Sequence, residues 1–386
     1  MTLEQKLLIH AVKASVTGQT ASLEVAPNWQ TFLKLARVHK LEALVFDGLR
    51  KSQIALPEEV QQNLRRAYMQ AIFQDTQMEH LKGQLQEALE TAGIRHVFLK
   101  GSVLKYDYPI PALRTMCDMD ILVYAEDFAK IDEIAKNLGG KALPGDGNHR
   151  IYAFGGVLVE FHPNLLHHAT PIGTGINPGW QYAKEDSTGR SATELTEEGF
   201  YLNTLCHLAN HFVAGGVGVR FVLDVWVNRH LRKQPIDRAF VETELAKFNL
   251  LDFAQNIEQL ADAWFGEQPM TPLLEELGEY ILTSGIHGSS ERAALNAITF
   301  SQGGTRASAL MRKAFYPRAE LEDRFVWCKG KPWLLPAAWC ARAFLAVKNH
   351  GRLILRWGKQ TGEVTQEEVS NQRQKLERFG IKTSKI

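Results

Sequence analysis

Asp118 and Asp120 stand one residue apart in the run Cys117–Val123, which becomes wholly apolar at Ile121. Alternate residues of a strand share a face, so the two carboxylates sit side by side while Met119 and Ile121 point away. Two close carboxylates repel each other unless a cation lies between them. Mg²⁺ and Mn²⁺, hard ions that take oxygen ligands and share them with substrate phosphates, meet that need. Upstream, Gly101-Ser102 closes a run reading Ile94–Leu99, and a turn of small residues lets backbone N–H groups approach phosphate. Downstream, alternation along Val157–His162 places Leu158, Glu160 and His162 on one face. A glutamate flanked by Val159 and Phe161 is costly unless it is paired or metal-bound. With this strand beside the Asp118–Asp120 strand, three carboxylates would converge, as two-metal in-line displacement at phosphorus requires.

The elements that must position these groups can be read from periodicity. Residues 1–92 form an N-terminal helical region. Leu3, Leu7, Leu8 and Val12 mark one apolar stripe, and a second runs from Trp29 through Leu41 to Val45. A third, long helix begins at Pro57 and stops at Ala92-Gly93. Residues 93–165 read as an α/β core, with strands near 94–99, 117–124, 150–154 and 156–162. A helix is expected from Glu126 to Leu138, and a hairpin turn at Gly155-Gly156. Residues 166–195 are rich in Gly, Pro, Thr and Asn and read as an irregular loop. Residues 196–360 form a C-terminal helical domain, and 361–386 a polar tail, expected to be a frayed helix or disordered. The fold class is α+β: a small mixed sheet with flanking helices, embedded between two helical regions.

Several motifs together carry a resemblance. Leu99-Lys100-Gly101-Ser102, Tyr108-Pro109, Arg114, Asp118-Met119-Asp120-Ile121-Leu122-Val123 and Val159-Glu160-Phe161-His162 resemble the polymerase-β-like nucleotidyltransferase superfamily. More narrowly they resemble the bacterial uncharacterised nucleotidyltransferase family, in which Lys-Gly precedes an Arg-x-x-x-Asp-x-Asp block. His39, His207–His211, Arg220–Asp224 and Lys331–Trp339 extend the likeness to roughly residues 25–350. The resemblance implies a polymerase-β-like core that moves an NMP from an NTP to an acceptor. Gly101 and Ser102 would hold the β- and γ-phosphates, Asp118 and Asp120 would bind two Mg²⁺ (or Mn²⁺) ions, and Glu160 would fill the third carboxylate position. Lys100 and Arg114 are phosphate partners by charge. The acceptor is not implied, and a small molecule or glycan-type group is the first expectation.

Other features have plainer readings beside functional ones. His162 precedes Pro163 and either joins the site or is simply hydrogen-bonded. His207 and His211 lie four apart on a helix, but Leu208 stands where a zinc protease has its glutamate, so they are expected to wall the cleft. Arg220 and Asp224 either face the same cleft or pair at i,i+4. Residues 306–357 carry eleven Lys and Arg against Glu320, Glu322 and Asp323, with Trp327, Trp333, Trp339 and Trp357 interleaved. That composition suits RNA or a membrane surface, or an amphipathic helix with its Trp on the core and a solvated basic face. The formal net charge of +1 over 386 residues is no argument for a nucleic-acid coat protein. Four scattered cysteines form no CxxC pair, and the longest apolar run, Trp333–Val347, is too short to span a bilayer. A soluble cytoplasmic protein without a signal peptide is expected. Competing readings are a toxin-like nucleotidyltransferase acting on tRNA or protein, a non-catalytic nucleotide- or partner-binding module, and a peripheral membrane adaptor.

Overall fold

The computed structural model describes residues 1–383 apart from 21, 23, 24, 145–148, 165–178, 185–190 and 287. Helix α1 (Leu3–Thr17) opens on a capping box between Thr2 and Gln5 and ends on left-handed Gly18. The apolar stripe from Trp29 to Val45 is not one helix. It divides into α2 (Trp29–Val38) and α3 (Glu42–Lys51) at Lys40, whose φ is 56°. There the Leu41 N–H reaches back to the Ala36 carbonyl at 3.0 Å and closes α2. Apolar spacing survives such a break, which hides it from periodicity. Helix α4 (Glu58–Thr91) follows Pro57, as expected.

The α/β core is a five-stranded mixed sheet: β1 (His96–Phe98), β2 (Asp118–Val123), β3 (Lys141–Leu143), β4 (Arg150–Phe154) and β5 (Val157–His162), in the order β1-β2-β5-β4-β3. β2 and β5 run parallel with Asp120 opposite Glu160, and the other pairings are antiparallel. Between β1 and β2 lies the short helix α5 (Gly101–Leu104), and between β2 and β3 the helix α6 (Phe128–Asn137). β3 was not anticipated, because Lys-Ala-Leu on an exposed edge has neither alternation nor β-branched residues. On one face of the sheet, Met119, Ile121, Val123, Val159 and Phe161 pack with Leu81, Leu85 and Leu89 of α4 and Ile131 of α6. The opposite face carries Asp118, Asp120, Glu160 and His162, with Leu122 joining the main core.

The C-terminal region closes over that second face. Its elements are α7 (Glu197–Ala214), α8 (Val219–His230), α9 (Arg238–Lys247), α10 (Leu251–Phe265), α11 (Pro272–Leu282), α12 (Ser290–Thr299), α13 (Arg306–Ala314), α14 (Arg318–Arg324), α15 (Leu335–Glu363) and α16 (Gln366–Arg378). One hydrophobic core joins α1–α3, the inner ends of the sheet and α7, α8 and α10. The polar tail expected from 361 is corrected: α16 has a Thr365–Glu368 capping box and buries Val369 and Leu376, with Phe379 and Ile381 beyond it. Its few apolar residues fall on one face, and the charges between them concealed it. Most of the expected loop 166–195 lies outside the described residues. Among the described residues no helix is long and apolar enough to cross a membrane.

Candidate active site

Leu99-Lys100-Gly101-Ser102 makes the elbow from β1 into α5. Lys100 adopts φ 51° and ψ −124°, the conformation that a type II′ turn reserves for glycine, and the Ser102 N–H closes the turn on the Leu99 carbonyl at 3.3 Å. A non-glycine residue held there costs on the order of 1–3 kcal/mol. The twist aims the lysine across the sheet: its Nζ lies 2.7 Å from Asp120 Oδ1. Gly101 sits at a close approach of two side chains. A Cβ on it would lie 2.1 Å from the guanidinium of Arg114 and 2.5 Å from Met116 Sδ. Ser102 turns inward instead. It is buried, and its hydroxyl donates to the Leu99 carbonyl at 2.6 Å.

Register supplies the rest of the acidic cluster. Asp120 and Glu160 are paired across β2 and β5, and His162 is one alternation further on. His162 Nε2 donates to Asp120 Oδ1 at 2.9 Å and lies 3.3 Å from Glu160 Oε2. One ligand atom from each of Asp120, Glu160 and His162 lies within 4.8 Å of the others. Asp118 stands outside that trio, yet close enough that burial and the Asp120 charge push its carboxyl up. Burial pushes Asp120 the same way, but the Lys100 ammonium and the His162 bond outweigh it and hold Asp120 well below the usual carboxylate range. The His162 bond also lowers Glu160. Burial acts to lower His162, and its bonds to the two carboxylates reverse that and raise it. The two aspartates are therefore electrostatically distinct, although they are adjacent on one face.

These groups line a cavity of about 340 Å³ that the helices α7 and α8 close from the other side. Every site residue anticipated from the sequence reaches it except Ser102: Lys100, Gly101, Arg114, Asp118, Asp120, Glu160, His162, His207, His211, Arg220 and Asp224. Arg220 and Asp224 do not pair with each other. Asp224 accepts both arms of Arg114, at 3.1 and 2.7 Å, and the Tyr108 hydroxyl at 2.6 Å. That buried triad ties the loop before β2 to α8 and sets Arg114 on the cavity wall. Arg220 donates to the Thr115 carbonyl at 2.8 Å, and its buried Nε has no partner among the described residues. An arginine lining the cavity suits an anionic ligand.

The α7 wall is more polar than its apolar helix would suggest. Thr204, His207, Asn210 and His211 face the cavity, and the His207 and His211 rings meet edge to face at 4.4 Å with Phe221 of α8 beside both. Burial pushes His207 well below its ordinary value, and the Lys100 ammonium adds to the effect. No metal cluster forms on this pair among the described residues. Thr204, Asn210 and Phe221 were missed from the sequence; their spacing from His207 and Arg220 on two helices is the signal that would have found them. His149 was also missed. It stacks on His162 at 5.2 Å, and its Nε2 is 4.0 Å from Glu160 Oε2.

Residues 26–266, more than half of the chain's length, match the family described as uncharacterised nucleotidyltransferase, and the chain belongs to that family. The matched span holds the whole cavity and stops short of the Lys331–Trp339 segment. No curated protein matches the chain. Among solved structures, the solution structure of the antibiotic-resistance factor ANT(2'')-Ia is similar at 15% identity, over 45% of this chain and 92% of that one, with a TM-score of 0.34.

Proposed function

We propose that this member of the uncharacterised nucleotidyltransferase family transfers an NMP from an NTP to an acceptor hydroxyl or phosphate and releases pyrophosphate. The observation that carries the reading is the single cavity in which the carboxylates of β2 and β5 face Lys100, Arg114 and Arg220. In the reaction an acceptor oxygen attacks the α-phosphorus, the bond from that phosphorus to the bridging oxygen breaks, and pyrophosphate leaves with that oxygen. The acceptor's proton passes to a carboxylate. Glu160 or one of the two aspartates, all on the cavity wall, would take it. Lys100, Arg220 and Arg114, which is seated against Gly101, orient the phosphates.

The donor set fits a divalent cation. Asp120, Glu160 and His162 bring two carboxylates and an imidazole within 4.8 Å, and Asp118 adds a third carboxylate beside them, a set suited to Mg²⁺ or Mn²⁺. Two such ions, when bound, would neutralise charge developing on the phosphate oxygens and acidify the acceptor hydroxyl. The acceptor we assign first is a small molecule or glycan-type group. A second cavity, of about 500 Å³, shares Met116 and Cys117 with the first and is lined by Gln70, Gln74 and Gln77 of α4. These amides, which both donate and accept, suit a hydroxyl-bearing acceptor, and Lys40 and Glu42 share the lining.

One observation favours a second reading. Lys100 Nζ and His162 Nε2 both engage Asp120 Oδ1, where a cation would otherwise bind, as in a nucleotide-binding module without catalysis. Incubation with each α-labelled NTP and Mg²⁺ or Mn²⁺, with cell extract, tRNA and small-molecule fractions, separates the two. Label should move to the small-molecule fraction and stop moving with Asp118→Asn/Asp120→Asn. Transfer that persists in that variant rejects the carboxylate mechanism, and NTP binding without any labelling establishes the binding module.

A further inference from the structure

The segment 324–362 holds eight Lys and Arg and no Asp or Glu, and α15 makes up most of it. The orientation of this helix is fixed by one face. Ala338 is buried, Arg342 lies over the Tyr316 ring at 3.5 Å, and Trp339 donates to the Tyr316 carbonyl at 3.1 Å. That anchoring turns an apolar face outward. Pro336, Ala337, Cys340, Phe344, Val347 and Leu355 are all exposed. At about 100° per residue they fall in one arc of about 100°, which runs for about 30 Å along the helix. The exposure is large where it matters: Phe344 is 67%, Val347 64% and Leu355 77% exposed, and Trp333 just before the helix is 72%. No charged side chain interrupts the arc, and Lys348 and Arg352 lie on its flank. The expectation that this helix turns its aromatic residues to the core and only a basic face to water holds for Trp339 and for Trp357, which lies 4.0 Å under the Lys313 ammonium, but not for Phe344.

We propose that α15 lies flat on an anionic membrane surface, with Trp333, Phe344, Val347 and Leu355 among the acyl chains and Lys348 and Arg352 at the headgroup phosphates. A helix with an apolar face, cationic flanks and too little apolar length to cross the bilayer binds in the interface plane. Charge complementarity selects this occupant. A second copy would set two acid-free basic surfaces against each other. RNA would satisfy the charges but leaves the aliphatic Val347, Ile354 and Leu355 without partners, since bases stack on aromatic and guanidinium planes. The inference is independent of the nucleotidyl-transfer reading, because the segment lies outside the family match and the cavity.

Co-sedimentation of the full chain with vesicles of phosphatidylcholine, alone or mixed with phosphatidylserine, tests the proposal. The protein should pellet with the mixed vesicles and stay in solution with the neutral ones, and its tryptophan emission should shift to the blue on binding. Lys348→Gln/Arg352→Gln should weaken binding about 25-fold. Phe344→Asp/Val347→Asp/Leu355→Asp should abolish it while thermal unfolding is unchanged, since all three side chains are at the surface. Equal pelleting with neutral vesicles, no pelleting with either, or full binding by the aspartate variant overturns the proposal. So does a dimer in solution that the aspartate variant dissociates, or an RNA mobility shift lost in the glutamine variant without vesicle binding.

Discussion

His39 offers a prediction that can be worked through from the structure. It is the C-cap residue of α2, fully buried, and both ring nitrogens are used. Nε2 donates to the Leu282 carbonyl of α11 at 3.1 Å, and Nδ1 accepts the Val219 N–H at the start of α8 at 3.3 Å. A neutral imidazole thus caps the helix that carries Arg220 and Asp224, and Gly218 leaves room for it, since a Cβ there would sit 2.8 Å from Nδ1. Burial lowers its pKa from 6.5 to about 4, against the opposing effect of the Leu282 bond. The folded value is below the unfolded one, so the unfolded chain binds more protons between those limits and stability falls as pH falls. The contribution is fully present above about pH 6.5 and is lost progressively down to about pH 4. At about 1.4 kcal/mol per tenfold, the whole effect is about 3 kcal/mol. Urea unfolding at pH steps from 7.5 to 4.5 checks this against His39→Gln, which loses the cap at every pH but cannot titrate. The difference in stability between wild type and variant should shrink by about 1.4 kcal/mol per pH unit below 6.5. Parallel curves would refute the assignment and place the acid sensitivity in the other buried groups.

Two further perturbations address the loop and the C-terminus. Gly101→Ala should force Arg114 or Met116 from position, cost about 2 kcal/mol of stability by overpacking and reduce nucleotidyl transfer at least as far as Arg114→Ala does; calorimetry and the labelling assay together check it. Phe379→Ala, just beyond α16, should cost about 4 kcal/mol in urea unfolding, because the ring is fully buried 5.5 Å from Tyr280 and 6.1 Å from Phe212; a loss below 1 kcal/mol would mean the segment frays.

How much of this was legible in the sequence depends on how far each constraint reaches along the chain. Asp118, Asp120 and Glu160 stand out because a carboxylate in an apolar strand contradicts its surroundings, and strand alternation alone predicts which side chains share a face. The β2–β5 pairing then needed only one register, and the structure has it, with Asp120 opposite Glu160. The break at Lys40 and the strand Lys141–Leu143 were invisible because neither changes the local apolar pattern. Ser102 shows the opposite failure. Its type and place suit a phosphate loop, but the turn geometry that Lys100 adopts directs its hydroxyl to the Leu99 carbonyl.

Partner choice was the least legible layer. The i,i+4 spacing of Arg220 and Asp224 makes a helix ion pair the local default, worth a few tenths of a kcal/mol at a surface. Both are buried here, where geometry and full satisfaction decide the energy. Arg114 offers Asp224 two parallel bonds from a separate segment, and Tyr108 adds a third, so the distant partners win. Arg220 is released to the cavity as a consequence, with its Nε unpaired. The local pair would have cost the loop before β2 the two-bond tether from Arg114 to α8. The same residues that deny the helix its simplest ion pair therefore couple the strand carrying the aspartates to the helical wall opposite them.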